Sequence, residues 1–338
     1  MGSPRNFSIL IVVVALAVVG CGGAASTTTS AGDSSTTTTA AASSVTTATA
    51  AATTATEPDS GFPVTVETGG AAVTIESRPE RMVSLSATAT EMLFAIGAGE
   101  QVVAVDSFSY YPPEAPVTDL SGFEPNVEAI VGFEPDLVVL SFDPGDVVAG
   151  LEAAGVPTLV LGAAVTLDDT YTQIEQLGAA TGRIGDAAAL VGQMQTDIDD
   201  LAASVPARDE PLTYYHELDD TLFSVTSETF IGEIYALAGL ENIADAADPE
   251  GEAGGYPQLS AEFLVSADPD LIFLADTKCC GQNAETLAQR PGSDQLTAVA
   301  QGRVIELDDD IASRWGPRIV EFFRKIVEAT AAIEVPAG

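Results

Sequence analysis

The sequence predicts an α/β protein of two similar lobes with mostly parallel sheets, joined by one long α-helix and leaving a cleft between them. Three observations carry this expectation. Val127–Leu140 reads VEAIVGFEPDLVVL and Ala261–Leu274 reads AEFLVSADPDLIFL, so Glu128 matches Glu262 and Pro135-Asp136-Leu137 matches Pro269-Asp270-Leu271 at one shared offset. A second stretch, Glu91–Gly97, resembles Glu233–Gly239 in the same order along the chain. Between Met82 and Gly162, short apolar runs alternate with helical patterns, and such alternation implies a parallel sheet. Two lobes make a cleft, and clefts at domain interfaces are where small ligands usually bind.

The N-terminus carries an address. Arg5 precedes the apolar run Phe7–Gly20, which is shorter than the ~20 residues of a spanning helix and suits the core of a signal peptide, so residues 1–20 are assigned to it. Val18-Val19-Gly20-Cys21 resembles a bacterial lipoprotein cleavage box, which makes Cys21 the expected lipidated residue on the extracytoplasmic face of a cell membrane. Residues 21–60 are dominated by Thr, Ala and Ser, with no Lys or Arg. Such a segment cannot bury enough apolar surface to offset chain entropy, and it is expected to be a disordered tether reaching on the order of 35 Å.

The first lobe is expected over residues 61–165. Met82–Ser86 is its first strand, and Thr88-x-x-Glu91 offers a capping box for a helix that Gly97 stops. Gln101–Asp106 follows as a strand. Asn126 caps a helix through Val131, Pro135 breaks it, and Leu137–Ser141 is the next strand. A helix near Asp146–Ala154 leads to the strand Pro157–Gly162. Residues 166–205 give two helices, Leu167–Thr181 and Asp186–Ser204, the second being the connector. The second lobe, 206–338, carries strands Leu212–His216, Leu222–Val225, Leu271–Ala275 and Arg303–Leu307, helices Phe230–Ala238 and Ala261–Ser266, and a closing helix from Pro317 to Ile333.

Composition excludes several functions. Twelve basic against 50 acidic residues give a net charge of −38, and nucleic-acid binding needs the opposite balance. The acidity reads as a solvating surface suited to a salty habitat. His216 is the single histidine, so a three-histidine metal site is ruled out by counting. Tyr110-Tyr111 and Tyr214-Tyr215 are neighbours, and neighbours on a strand face opposite ways, so each pair offers one ligand at most. Cys279-Cys280 offers a vicinal disulfide, while a two-thiolate metal site there lacks further ligands nearby. No nucleophile-elbow, dinucleotide or phosphate-loop motif occurs, and no catalysis, metal or cofactor is expected.

Arg78-Pro79-Glu80-Arg81-Met82-Val83-Ser84-Leu85, Tyr111-Pro112-Pro113-Glu114, the Asn126–Val131 helix with its Glu-Pro-Asp-Leu strand entry, and Arg314-Trp315-Gly316-Pro317-Arg318 stand in an order that resembles the extracytoplasmic substrate-binding proteins of ABC importers for ferric siderophores and cobalamin. The similarity runs from Glu76 to Val335. It implies two Rossmann-like lobes on a rigid helical connector, acting as a monomer that captures a small-molecule metal chelate, a ferric siderophore or a corrinoid, and delivers it to a membrane permease.

Ligands of open α/β sheets sit beyond the carboxyl ends of the strands. Those ends and their loops carry the candidate ligand residues Ser86, Phe108, Tyr110, Phe123, Phe142, Tyr256, Arg314 and Trp315. In the cobalamin-binding relatives, aromatic residues at the places of Phe123, Phe142 and Tyr256 face the ligand and an arginine at the place of Arg314 reaches it; this chain has Phe or Tyr where those relatives have Trp. For Arg314 the competing expectation is an ion pair with Asp308–Asp310. The resemblance also implies that Glu128 and Glu262 dock on the permease. A lipoprotein ligand sensor of the same fold and a cell-surface hydrolase are the alternatives.

Overall fold

The computed structural model describes residues 61–69 and 71–333; the signal peptide, Cys21 and the tether lie outside the described residues. The first elements are an antiparallel hairpin of β1 (Val64–Thr68) and β2 (Ala71–Ile75), absent from the expected list. The first lobe then runs β3 (Met82–Leu85), α1 (Ala87–Ala95), β4 (Val102–Val105), α2 (Val127–Val131), β5 (Leu137–Leu140), α3 (Val147–Ala153) and β6 (Thr158–Val160). Its sheet is parallel throughout, in the order β4-β3-β5-β6. Helices α4 (Leu167–Thr181) and α5 (Ile184–Ala203) follow, with α5 the long connector.

The second lobe contains β7 (Thr213–Glu217), α6 (Phe230–Leu237), β8 (Glu241–Asn242), α7 (Ala261–Ala267), β9 (Leu271–Leu274), α8 (Thr277–Cys280), α9 (Ala284–Ala288), α10 (Thr297–Ala300), β10 (Val304–Glu306), α11 (Asp309–Ala312) and α12 (Ile319–Ala331). Its sheet is also parallel, in the order β10-β9-β7-β8. Two corrections follow. Thr88 lies inside α1, whose N-cap is Ser86, with the Ser86 hydroxyl accepting from the Ala89 amide at 3.2 Å. Leu222–Val225 forms no strand, because Leu222 turns into the left-handed region at φ 70° and only Phe223 bridges, to Gln258.

Strand side chains alternate between two cores in each lobe, as the period of two requires. Met82, Leu137 and Val139 face a core shared with α4, α5 and α12, while Val83, Val138 and Leu140 face a private core under α2 and α3. In the second lobe Tyr214, Leu271 and Phe273 face the shared core, and Tyr215, Ile272 and Leu274 face the other. The shared core runs through both lobes and the connector.

The repeated Pro-Asp has a structural cause. Asp136, just before β5, accepts from the amides of Glu80 and Arg81 at 2.7 and 3.0 Å, at the start of the neighbouring strand β3. Asp270, just before β9, accepts from the Thr213 amide at 2.9 Å and the Thr213 hydroxyl at 3.1 Å, at the start of β7. Each carboxylate thus sets the register of the parallel pair beside it. The same duplication places the residues of the candidate site.

Candidate functional site

Beyond the carboxyl ends of the first sheet, the backbone turns outward around a buried carboxylate. Asp106, following β4, accepts from the Phe108 amide at 3.1 Å, and burial pushes its pKa up. Across it runs Gly122, where a Cβ atom would lie 2.6 Å from both the Leu85 carbonyl oxygen and an Asp106 carboxylate oxygen. Only glycine passes there, and the next residue is Phe123. Its ring meets Phe108 edge-on at 5.6 Å and Phe142, delivered by the end of β5, at 6.1 Å. Phe108, Phe123 and Phe142 are 53%, 62% and 41% exposed. Three exposed rings in contact form an apolar patch of the kind that marks a binding surface.

The second lobe repeats the device. The Thr226 amide donates to the Gly255 carbonyl at 2.9 Å, so this loop is tied to the segment that leads into α6. Gly255 has φ +88°, and a Cβ atom there would come 2.6 Å from the Thr229 methyl. The next residue is Tyr256, exposed like Phe123. A glycine forced by close approach, followed by an exposed aromatic, therefore occurs at the same station of both lobes, just ahead of α2 and α7.

Arg314 belongs to the joint between the lobes. Its guanidinium donates to Glu91 of α1 at 2.8 Å, to Asp310 at 2.7 Å and to the Phe108 carbonyl at 3.2 Å. Arg318 donates to both oxygens of the same glutamate, at 2.8 and 2.6 Å, and its guanidinium lies 4.0 Å from the Tyr111 ring centre. The Tyr110 hydroxyl donates to Asp310 at 2.7 Å, and burial, reinforced by this contact, raises its pKa. Trp315 donates through its indole nitrogen to Gln173 of α4 at 3.0 Å and packs on the shared core. Of the expected ligand residues, then, Phe108, Phe123, Phe142 and Tyr256 form open surface and Tyr110 stands at the rim. Ser86 is a buried helix cap, Trp315 is half-buried in the joint, and Arg314 takes the ion-pair alternative.

Glu91 and Arg318 were missed by sequence reasoning, although two arginines four residues apart around the single tryptophan were a visible signal. The repeated glutamate Glu233 also braces the joint, accepting from the Leu167 amide at the start of α4 at 2.8 Å.

A second buried acidic group lies at the carboxyl ends of β7 and β9. Glu217 receives two bonds from Arg290, each 2.6 Å, while both oxygens of Asp276 are buried without a partner among the described residues. Burial, then the neighbouring Glu217, pushes the Asp276 pKa up to about 7. The folded pKa is raised above the unfolded value of 3.8, so the native state binds the extra proton and loses stability as pH climbs from about 4 to about 7. Asp276→Asn removes this penalty and is expected to raise the melting temperature more at pH 8 than at pH 5, by calorimetry. An equal shift at both pH values would show that Asp276 is ionised throughout.

His216 is fully buried, its Nδ1 2.8 Å from the Tyr235 hydroxyl, and burial pushes its pKa down to about 3. It is neutral at ordinary pH and remote from solvent. Tyr214 and Tyr215 are buried on opposite faces, and burial raises both hydroxyl pKa values, which disfavours tyrosinate chemistry. Cys279 and Cys280 form the vicinal disulfide.

Glu128 and Glu262 each occupy the second position of their helix and are exposed. The Asn126 and Ser260 side chains cap these helices, accepting from Ala129 at 2.9 Å and Phe263 at 3.1 Å. Neither glutamate forms an ion pair among the described residues.

Residues 82–311 match the family model described as periplasmic binding protein. The chain belongs to the periplasmic binding protein family. Among its relatives, an uncharacterised ABC transporter substrate-binding lipoprotein of Bacillus subtilis, YvrC, is 30% identical over 79% of this chain and 85% of its own length. The cobalamin-binding protein of Halobacterium salinarum is 33% identical over 79% of this chain and 74% of its own. Among solved structures, the periplasmic haem-binding protein RhuT of Roseiflexus sp. RS-1 superposes with a TM-score of 0.66 at 27% identity, covering 75% of this chain and 98% of that one. The vitamin B12 binding protein BtuF of Vibrio cholerae gives 0.61 at 24% identity over 75% and 97%, a likeness of fold.

Proposed function

We propose that this chain is the substrate-binding lipoprotein of an ABC importer, held outside the membrane through Cys21, and that it captures a corrinoid as a monomer and hands it to a permease. The observation that carries the ligand class is the wall of three touching, exposed phenylalanines on one lobe with Tyr256 at the matching station of the other. Aromatic faces give large apolar contact with little side-chain entropy to lose, which suits a broad, partly apolar ring system. The relatives named for cobalamin support the same class. A ferric siderophore is the second reading, favoured by the replacement of Trp by Phe and Tyr in that wall.

The lone Trp315, seated in the joint between the lobes, gives the test a probe, because a bound corrin absorbs its emission. Cyanocobalamin titrated into the protein is expected to quench Trp315 saturably. Phe123→Ala is expected to raise Kd about tenfold, or ~1.4 kcal/mol. Tight binding of a ferric hydroxamate with no response to cyanocobalamin would transfer the assignment to the second reading.

A further inference from the structure

A disulfide stabilises a fold mainly by closing a loop in the unfolded chain, and the effect grows with the residues enclosed. The Cys279–Cys280 bond joins adjacent residues and encloses none, so loop closure does not account for it. Its position suggests another role. In the first lobe β5 ends at Leu140 and places Phe142 in the aromatic wall; in the duplicated register β9 ends at Leu274 and the place of Phe142 falls to Asp276, which is buried. The exposed surface beyond β9 is supplied instead by the next turn, α8, where Lys278, Cys279 and Cys280 are all exposed.

That turn is fixed against the site. The Asp309 carboxylate accepts from the amides of Thr277 at 2.8 Å, Lys278 at 3.0 Å and Cys279 at 2.7 Å. Lys278 donates at 2.8 Å to the same Asp310 oxygen that takes the Tyr110 hydroxyl at 2.7 Å. The cysteine pair is therefore one residue away from a side chain that shares an atom with Tyr110, whose loop also carries Phe108.

We propose that the oxidised Cys279–Cys280 pair is a ligand-contact surface of the second lobe, taking from the next turn the part that Phe142 plays in the first lobe, and that its reduction weakens binding. This rests on the ligand reading above, a broad and partly apolar metal chelate. Joined sulfurs are polarisable and carry no hydrogen to donate, so they offer a soft, dry contact. Their covalent bond also holds both side chains in place before the ligand arrives. Reduction by a dithiol such as dithiothreitol delivers two electrons and two protons; the S–S bond breaks to two thiols and the reagent closes to its own ring disulfide. The freed side chains must then be ordered again on binding, which costs affinity.

Cyanocobalamin and a ferric hydroxamate are titrated into the oxidised protein, the dithiothreitol-reduced protein and Cys279→Ser/Cys280→Ser. A five- to tenfold rise in Kd is expected for the last two, with an unchanged melting transition. Saturating ligand is expected to slow reduction of the pair by a similar factor. Equal Kd in all three forms overturns the proposal and leaves the ligand class standing. Failure of both compounds to bind the oxidised protein removes the ligand class and the proposal with it. Should the double variant not fold, the reduced wild-type protein carries the comparison.

Discussion

Changing Glu128 and Glu262 together to Lys is expected to abolish uptake of the ligand while leaving its Kd unchanged. Both are exposed, both sit at the second position of a capped helix, and the two helices are duplicated copies. If the permease presents two like surfaces, a body with one carboxylate on each lobe can meet both at once. A single exposed ion pair contributes little, about 0.2–1 kcal/mol, but two engaged from one rigid body act together. If each carboxylate meets a basic group of the permease, reversal does more than delete the attraction, since like charges then face each other. Single reversals are expected to fall between wild type and the double variant. The check is uptake of labelled ligand by cells lacking other binding proteins, alongside Kd of the purified variant. Full uptake by the double reversal would reduce both residues to surface charge.

How far the sequence disclosed this arrangement varies with the range of each signal. Where local chemistry decides an element, expectation and structure coincide: α4 spans Leu167–Thr181 as expected, and Asn126 caps α2. The hairpin Val64–Ile75 carries alternating Val and Ile on either side of Gly69-Gly70, yet it precedes Met82, where the expected elements began. Helices α8, α9, α10 and α11 have four or five residues each, too few to show a helical period. Leu222–Val225 looked like a strand because apolar residues dominate it, and a left-handed turn at Leu222 prevails.

In the site, the repeat pointed to Phe123, Tyr256, Glu128 and Glu262 because each depends on a local station in a duplicated unit. The joint did not show in this way. Arg314 and Glu91 are 223 residues apart, and no spacing rule connects them. The sequence offered Arg314 as either a ligand contact or an ion pair with Asp308–Asp310; the pair with Asp310 forms, and Glu91 from the other lobe joins it. Glu91 itself was read as a capping residue, because a glutamate three places after a threonine has that local meaning.

Glu91→Ala is therefore expected to cost about 3–5 kcal/mol of stability, the range for removing one partner from a buried ion pair. The Glu91 side chain is 2% exposed, and those of Arg314 and Arg318 are 12% exposed, so the charges left behind are poorly reached by water. Arg314 keeps Asp310 and the Phe108 carbonyl, whereas Arg318 loses both of its carboxylate contacts and retains only the Tyr111 ring. Arg318 is thus the more damaged partner, and adding Arg318→Leu to Glu91→Ala is expected to restore part of the loss by removing the stranded charge. Glu91→Gln keeps the shape and one acceptor, and is expected to fall between wild type and Ala. Urea unfolding midpoints of the four proteins supply the measurement. A Glu91→Ala midpoint equal to wild type would mean that the lobes are held by the shared apolar core alone and that the ion cluster adds nothing to the joint.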